Sequence, residues 1–181
     1  TTTVGVIGIG LISMIIWAME SASRPISSRL WLESSDRFGA SGVVDGQIWR
    51  LITWPFANQP DFWTIILFAV LYMLGSQLEN LMGRKPFMFF LIAITVVPAI
   101  AVTVFEVLLA DFSGLSTGLR LTELGILVAF AAQYPHARFW PGIPSYGIVA
   151  VILFIDYLQI LDNRDEFEFV LLTGVIVTSL V

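Results

Sequence analysis

Long apolar runs separated by short polar turns constrain this chain more than any other feature. They cover residues 4–19, 62–81, 86–109, 115–134, 146–161 and 167–181. A run of about 20 apolar residues matches the roughly 30 Å hydrocarbon core of a bilayer. Inside that core, backbone polar groups must be bonded internally, so runs of this length fold as helices. The residue balance agrees: 57% of the 181 residues are hydrophobic, 13% are charged, and mean hydropathy is +0.86. A soluble domain does not reach that balance. The expected fold class is all-α: one domain over 1–181, a polytopic six-helix transmembrane bundle with an interfacial first loop over 20–61.

Several function classes drop out early. The formal net charge of -5 argues against nucleic acid as a partner. The chain has no cysteine, which removes disulfides, thiolate metal sites and a Cys nucleophile. Its single histidine, His136, has no metal-spaced companion, so no metal and no cofactor are expected. The opening run lacks a basic leader region and a small-residue cleavage site, and reads as a membrane helix rather than a signal peptide. The chain opens without Met, and its last run reaches Val181 with no polar end, so further residues are expected at both ends. Lys85 is the only lysine; the arginine bias fits a GC-rich bacterial genome.

Short-loop basic residues set the expected orientation. Arg84 and Lys85 follow the second run, and His136 and Arg138 follow the fourth. The turn after the third run holds only Asp111, and the turn after the fifth is acidic. Both termini are therefore expected on the cytoplasmic side of a plasma (inner) membrane, with the first loop outside.

That loop mixes Trp31, Phe38, Trp49, Trp54 and Phe56 with several arginines. Such a mixture suits an amphipathic piece at the headgroup boundary. The Trp49-Arg50 pair stands just before the second run, which carries Gly75 and Glu79 near its end and stops at Gly83-Arg84. This combination resembles the rhomboid family, including its non-proteolytic relatives such as derlins. The resemblance gives Trp49-Arg50 the role of a fixed first-loop element packed against the helices. An interfacial tryptophan with a snorkelling arginine is the alternative. The resemblance also implies that Glu79 ties helix ends together.

A rhomboid protease, by the same resemblance, places a serine on its fourth helix and a histidine on its sixth, with His and Asn on the second helix completing an oxyanion hole. A serine hydroxyl needs such a base within hydrogen-bond reach. Here the fourth run opens Gly114-Leu115-Ser116-Thr117-Gly118, so the nucleophile position falls on Ser116 or, in another register, Thr117. The base position, registered on Gly174, falls on Phe167. The oxyanion positions fall on Trp63 and Leu67. His136 follows the fourth run, about 30 Å of helix away from Ser116 at 1.5 Å per residue. The resemblance therefore implies a pseudoprotease.

Ionisable residues inside membrane runs mark pairs or sites. Arg120 and Glu123, three apart, are expected to pair on one helix face. Glu106 suits an outer interfacial position. Asp156 suits either an edge or a polar contact. The functions these residues support are binding or scaffolding of other integral membrane proteins and lipid, or an accessory role in a larger membrane complex. The alternative is a serine protease in which Glu123 or Asp156 serves Ser116 as a displaced base.

Overall fold

The computed structural model describes residues 1–19, 30, 32, 43, 46–58, 61–108, 114, 116, 118–139 and 142–180. Thr117 and the side chain of Trp63 lie outside what is described. The elements run in this order: α1 (Thr2–Met19), α2 (Arg50–Thr53) leading into a 3-10 turn (Trp54–Phe56), α3 (Phe62–Met82) and α4 (Arg84–Leu108). Then come α5 (Arg120–Gln133), strands β1 (Arg138–Phe139) and β2 (Ile143–Pro144), α6 (Ser145–Asn163) and α7 (Glu166–Leu180). The two strands form an antiparallel hairpin with Arg138 opposite Pro144.

Among the described residues, four helices are long and apolar enough to cross a membrane: α1, the Thr64–Met82 part of α3, α4 and α6. This differs from the expected six full spans. α5 has 14 residues and α7 has 15. α5 is thus about 21 Å long, against a hydrocarbon core of about 30 Å. It starts at Arg120 because the residues before it are bonded elsewhere. Ser116 bridges Leu32 of the first loop in extended backbone, and Gly118 holds a φ of +90.

Local chemistry explains the helix boundaries. Gly83 (φ +85) ends α3 with its N–H donating to the Glu79 carbonyl at 2.9 Å, and α4 begins at the next residue. Pro86 sits in the first turn of α4, where its missing N–H costs no intrahelical bond. α4 continues through Pro98. Arg164 closes α6 in the left-handed region (φ 52), and Asp165 N–H donates to the Ile160 carbonyl at 3.1 Å. Asp165 then caps α7, its Oδ1 accepting the Glu168 N–H at 2.9 Å.

Glycines set the close approaches between helices, as small residues do in bilayers. A Cβ on Gly125 of α5 would sit 2.9 Å from Ser179 Oγ and Val175 Cγ1 of α7. A Cβ on Gly174 of α7 would sit 3.1 Å from Pro98 Cβ of α4. α7 is therefore wedged between α4 and α5. On the other side, α1 lies on α3, with Gly75 facing Thr3 and Gly10 facing Phe68. One apolar core joins α3, α4 and α5 through Phe68, Leu78, Phe87, Ile94 and Ile126. A second joins α4, α5 and α7 through Ala99, Val102, Leu124, Phe167 and Leu171, with Trp54 beneath the first loop. α5 is the central helix, buried from Leu121 to Ala131 except at Leu127. α1 buries only Thr3, Gly10, Ser13 and Met14.

Candidate functional site

The segment before α5 is held from both sides by the first loop. Leu32 N–H donates to the Ser116 carbonyl at 3.0 Å, and Ser116 N–H donates back to the Leu32 carbonyl at 3.2 Å. Gly118 N–H donates to the Trp54 carbonyl at 2.9 Å. Leu119 N–H donates to Asn58 Oδ1 at 3.0 Å, while Asn58 Nδ2 donates to the Pro55 carbonyl at 2.9 Å. Asn58 thereby satisfies one of the amides that the start of α5 leaves unbonded. Trp54 is fully buried, and its Nε1 donates to the Thr95 carbonyl at 3.3 Å, one turn before Pro98. Ser116 itself is buried.

Phe167 packs directly on this segment. A Cβ built on Gly114 would fall 2.3 Å from Phe167 Cγ, so only a glycine backbone fits beneath the ring. The position registered from sequence as the histidine of a protease thus carries a phenyl ring against the loop that holds Ser116. His136 is exposed in the turn after α5, beyond the helix end opposite Ser116. Leu67 lies along α3 and lines a cavity described below.

The Trp49-Arg50 pair is divided. Trp49 is 48% exposed, whereas Arg50 is 0% exposed, its Nε donating to Gln47 Oε1 at 2.6 Å. Arg50 therefore points inward and does not snorkel. Trp54, four residues on, is equally buried.

Glu79 fastens α3 to α1. Its carboxylate accepts Thr2 N–H at 2.7 Å, Thr3 N–H at 3.0 Å and Thr3 Oγ1–H at 2.8 Å. The first amides of a helix favour an anion both by hydrogen bonding and by the helix dipole.

Arg120 pairs with Asp156 of α6, not with Glu123 as expected. Arg120 is half-exposed at the N-terminus of α5 and swings sideways to α6, whereas Glu123, one turn deeper, is buried. Arg120, Glu123 and Asp156 do meet at one place. They line a cavity of about 240 Å³ between α3, α5 and α6, with Leu67, Val70, Leu127 and Ile152 as its apolar walls. A second cavity of about 140 Å³ adjoins the far side of the same ion pair, lined by Gln159, Asn163 and Glu168 among others. Glu123 Oε2 and Asp156 Oδ2 have no hydrogen-bond partner among the described residues. Among those residues no group of His, Asp and Glu has the arrangement of a metal site.

Sequence reasoning did not single out Asn58 or the burial of Trp54. The available signal was weak: an Asn just before a Gln-Pro break, in a loop already read as interfacial. Nothing local announces that its side chain caps a helix 61 residues later.

No curated protein matches this chain, and no solved structure does. The architecture described above nevertheless has a family: among the described residues, seven α-helices, four of them long and apolar enough to cross a membrane, and a first loop bonded to the start of a short central helix. The Rhomboid domain model matches residues 45–170, well over half of the chain, and the protein is a multi-pass membrane member of the rhomboid family.

Proposed function

We propose that this protein is a non-catalytic rhomboid, a pseudoprotease that binds or scaffolds other integral membrane proteins through the cleft between α3, α5 and α6. It sits in the plasma (inner) membrane with both termini cytoplasmic, alone or as an accessory subunit of a membrane complex.

One observation carries the reading: Phe167, at the position where the family resemblance expects the base, packs against Gly114 and leaves room there for no other side chain. A serine without a base within hydrogen-bond reach is a weak nucleophile. The backbone amides of Ser116, Gly118 and Leu119 support it further, because each already donates within the fold. Amides spent this way are not free to stabilise an oxyanion. Asp156, one candidate for a displaced base, is committed to Arg120.

A fluorophosphonate probe on the purified protein in lipid tests the catalytic half. No labelling above that of Ser116→Ala is expected. Labelling that Ser116→Ala abolishes would overturn the proposal and restore the serine-protease alternative. A photo-crosslinking side chain at Ile152 tests the binding half. Adducts with a membrane protein are expected from Ile152 and not from Phe89, which is exposed on α4. Equal adducts from both positions would count against the cleft.

A further inference from the structure

Resting on that partner-binding reading, we infer that the cleft selects a partner helix carrying a lysine or arginine within its membrane span. The observation is a mismatch of charge and of hydrogen bonds. Two carboxylates, Glu123 and Asp156, face one guanidinium, Arg120, in a single cavity. Arg120 bonds Asp156 through Oδ1. That leaves Asp156 Oδ2 and Glu123 Oε2 as acceptors with no donor among the described residues, on residues 6% and 5% exposed. Buried polar atoms in native structures are otherwise nearly always bonded. In hydrocarbon there is no solvent to substitute, and an orphaned carboxyl oxygen is correspondingly costly.

The shape of the cavity agrees with this occupant. Arg120 and Glu123 both stand in the first turn of α5, Arg120 half-exposed and Glu123 buried. The cavity walls between α3 and α6 are Val70, Leu127 and Ile152, which suit the apolar surface of a crossing helix. The 240 Å³ space accepts one long side chain and not a second backbone. A lysine or arginine supplies three or more donors on a flexible stem, and the Glu123 carboxyl supplies an acceptor and, ionised against that cation, its countercharge.

The test uses the full chain in phosphatidylcholine nanodiscs. The protein has no cysteine, so a fluorophore can be placed on a single Cys introduced at exposed His136. Three synthetic Leu/Ala transmembrane peptides carry an acceptor dye and differ at one position a third of the way into the span: Lys, Leu or Glu. Energy transfer reads association. The Lys peptide should bind about tenfold more tightly than the Leu peptide, the scale of one interhelical polar contact, and the Glu peptide should bind more weakly than either. Glu123→Gln should bring the Lys and Leu peptides to within about twofold of each other while the Leu peptide still binds. Equal binding of all three peptides to the unmodified protein would overturn the charge selection and leave the partner-binding reading standing. No binding of any peptide would overturn both. A Lys preference that disappears when phosphatidylethanolamine replaces phosphatidylcholine would assign the cleft to a lipid amine and overturn the inference.

Discussion

Glu79 and Glu123 expose nearly the same fraction of their surface, 6% and 5%, yet the fold surrounds them in opposite ways. Glu79 accepts three hydrogen bonds from the start of α1, including two backbone amides. Glu123 retains an oxygen with no donor among the described residues, beside a cavity that opens between α3 and α6. In a bilayer the distinction is informative, because an intramembrane carboxylate must be compensated by the protein itself. A saturated carboxylate is a fastener. A carboxylate left short of donors stores an interaction that something else completes.

The comparison predicts unequal costs of substitution. Glu79→Ala should destabilise the protein by about 3 kcal/mol, because it removes a charged acceptor and strands buried donors that it had satisfied. The loss should appear as a lower thermal midpoint in detergent. A stability within 0.5 kcal/mol of the parent, roughly the scatter of surface substitutions, would mean that Glu79 is no fastener. Glu79→Gln keeps the shape and acceptor oxygen, and should fall between the two.

The region around Ser116 belongs with Glu79 in this division. The amides of Ser116, Gly118 and Leu119 are bonded, and Phe167 fills the space over Gly114. Gly114→Ala should cost about 2 kcal/mol by overpacking against that ring. Adding Phe167→Leu should return part of the loss, since the two positions are in contact and their effects are coupled. Strict additivity in that double-mutant cycle would show that the ring does not rest on the loop. Asn58→Ala should cost about 1 kcal/mol through the lost cap of α5. Amide exchange should show the loss as faster opening at the start of that helix, with α4 unchanged.

What could be read from sequence divides along similar lines. Features governed by neighbours in the chain were legible. The apolar runs located α1, α3, α4 and α6, and Gly83 marked the tight junction of α3 with α4. The contact of Phe167 with Gly114, by contrast, is seen only in the structure. Features governed by distant partners were not legible. Helical spacing offered Glu123 to Arg120, but the guanidinium found Asp156, 36 residues away on α6. The fourth apolar run suggested a full span, but Leu32, Trp54 and Asn58 hold its first residues out of the helix. An apolar stretch reports that a segment prefers hydrocarbon; it does not report which amides a remote loop will capture. Arg50 and Trp49 divide the two readings of their pair: the buried Arg50 fits the packed first-loop element that the resemblance implied, while the half-exposed Trp49 fits the interfacial alternative.

The smallest expected effect on stability is also the most discriminating. Glu123→Gln keeps the volume and one acceptor oxygen, and adds an amide donor to the cavity that Asp156 also lines. Among the described residues no hydrogen bond rests on the Glu123 carboxyl group, so the substitution strands no donor there. Its effect should therefore lie between zero and a gain in stability of about 1 kcal/mol, because a buried carboxyl group short of partners is relieved. The contrast with Glu79→Gln, an identical chemical change at nearly the same exposure, is the sharpest form of the comparison. Thermal unfolding of both variants under the same detergent conditions measures it directly. If Glu123→Gln costs as much as Glu79→Gln, then Glu123 is held by contacts of its own and the cleft is a packed part of the bundle. If it costs nothing or stabilises, the carboxylate was retained at the fold's expense, as expected of a group that serves binding rather than the bundle.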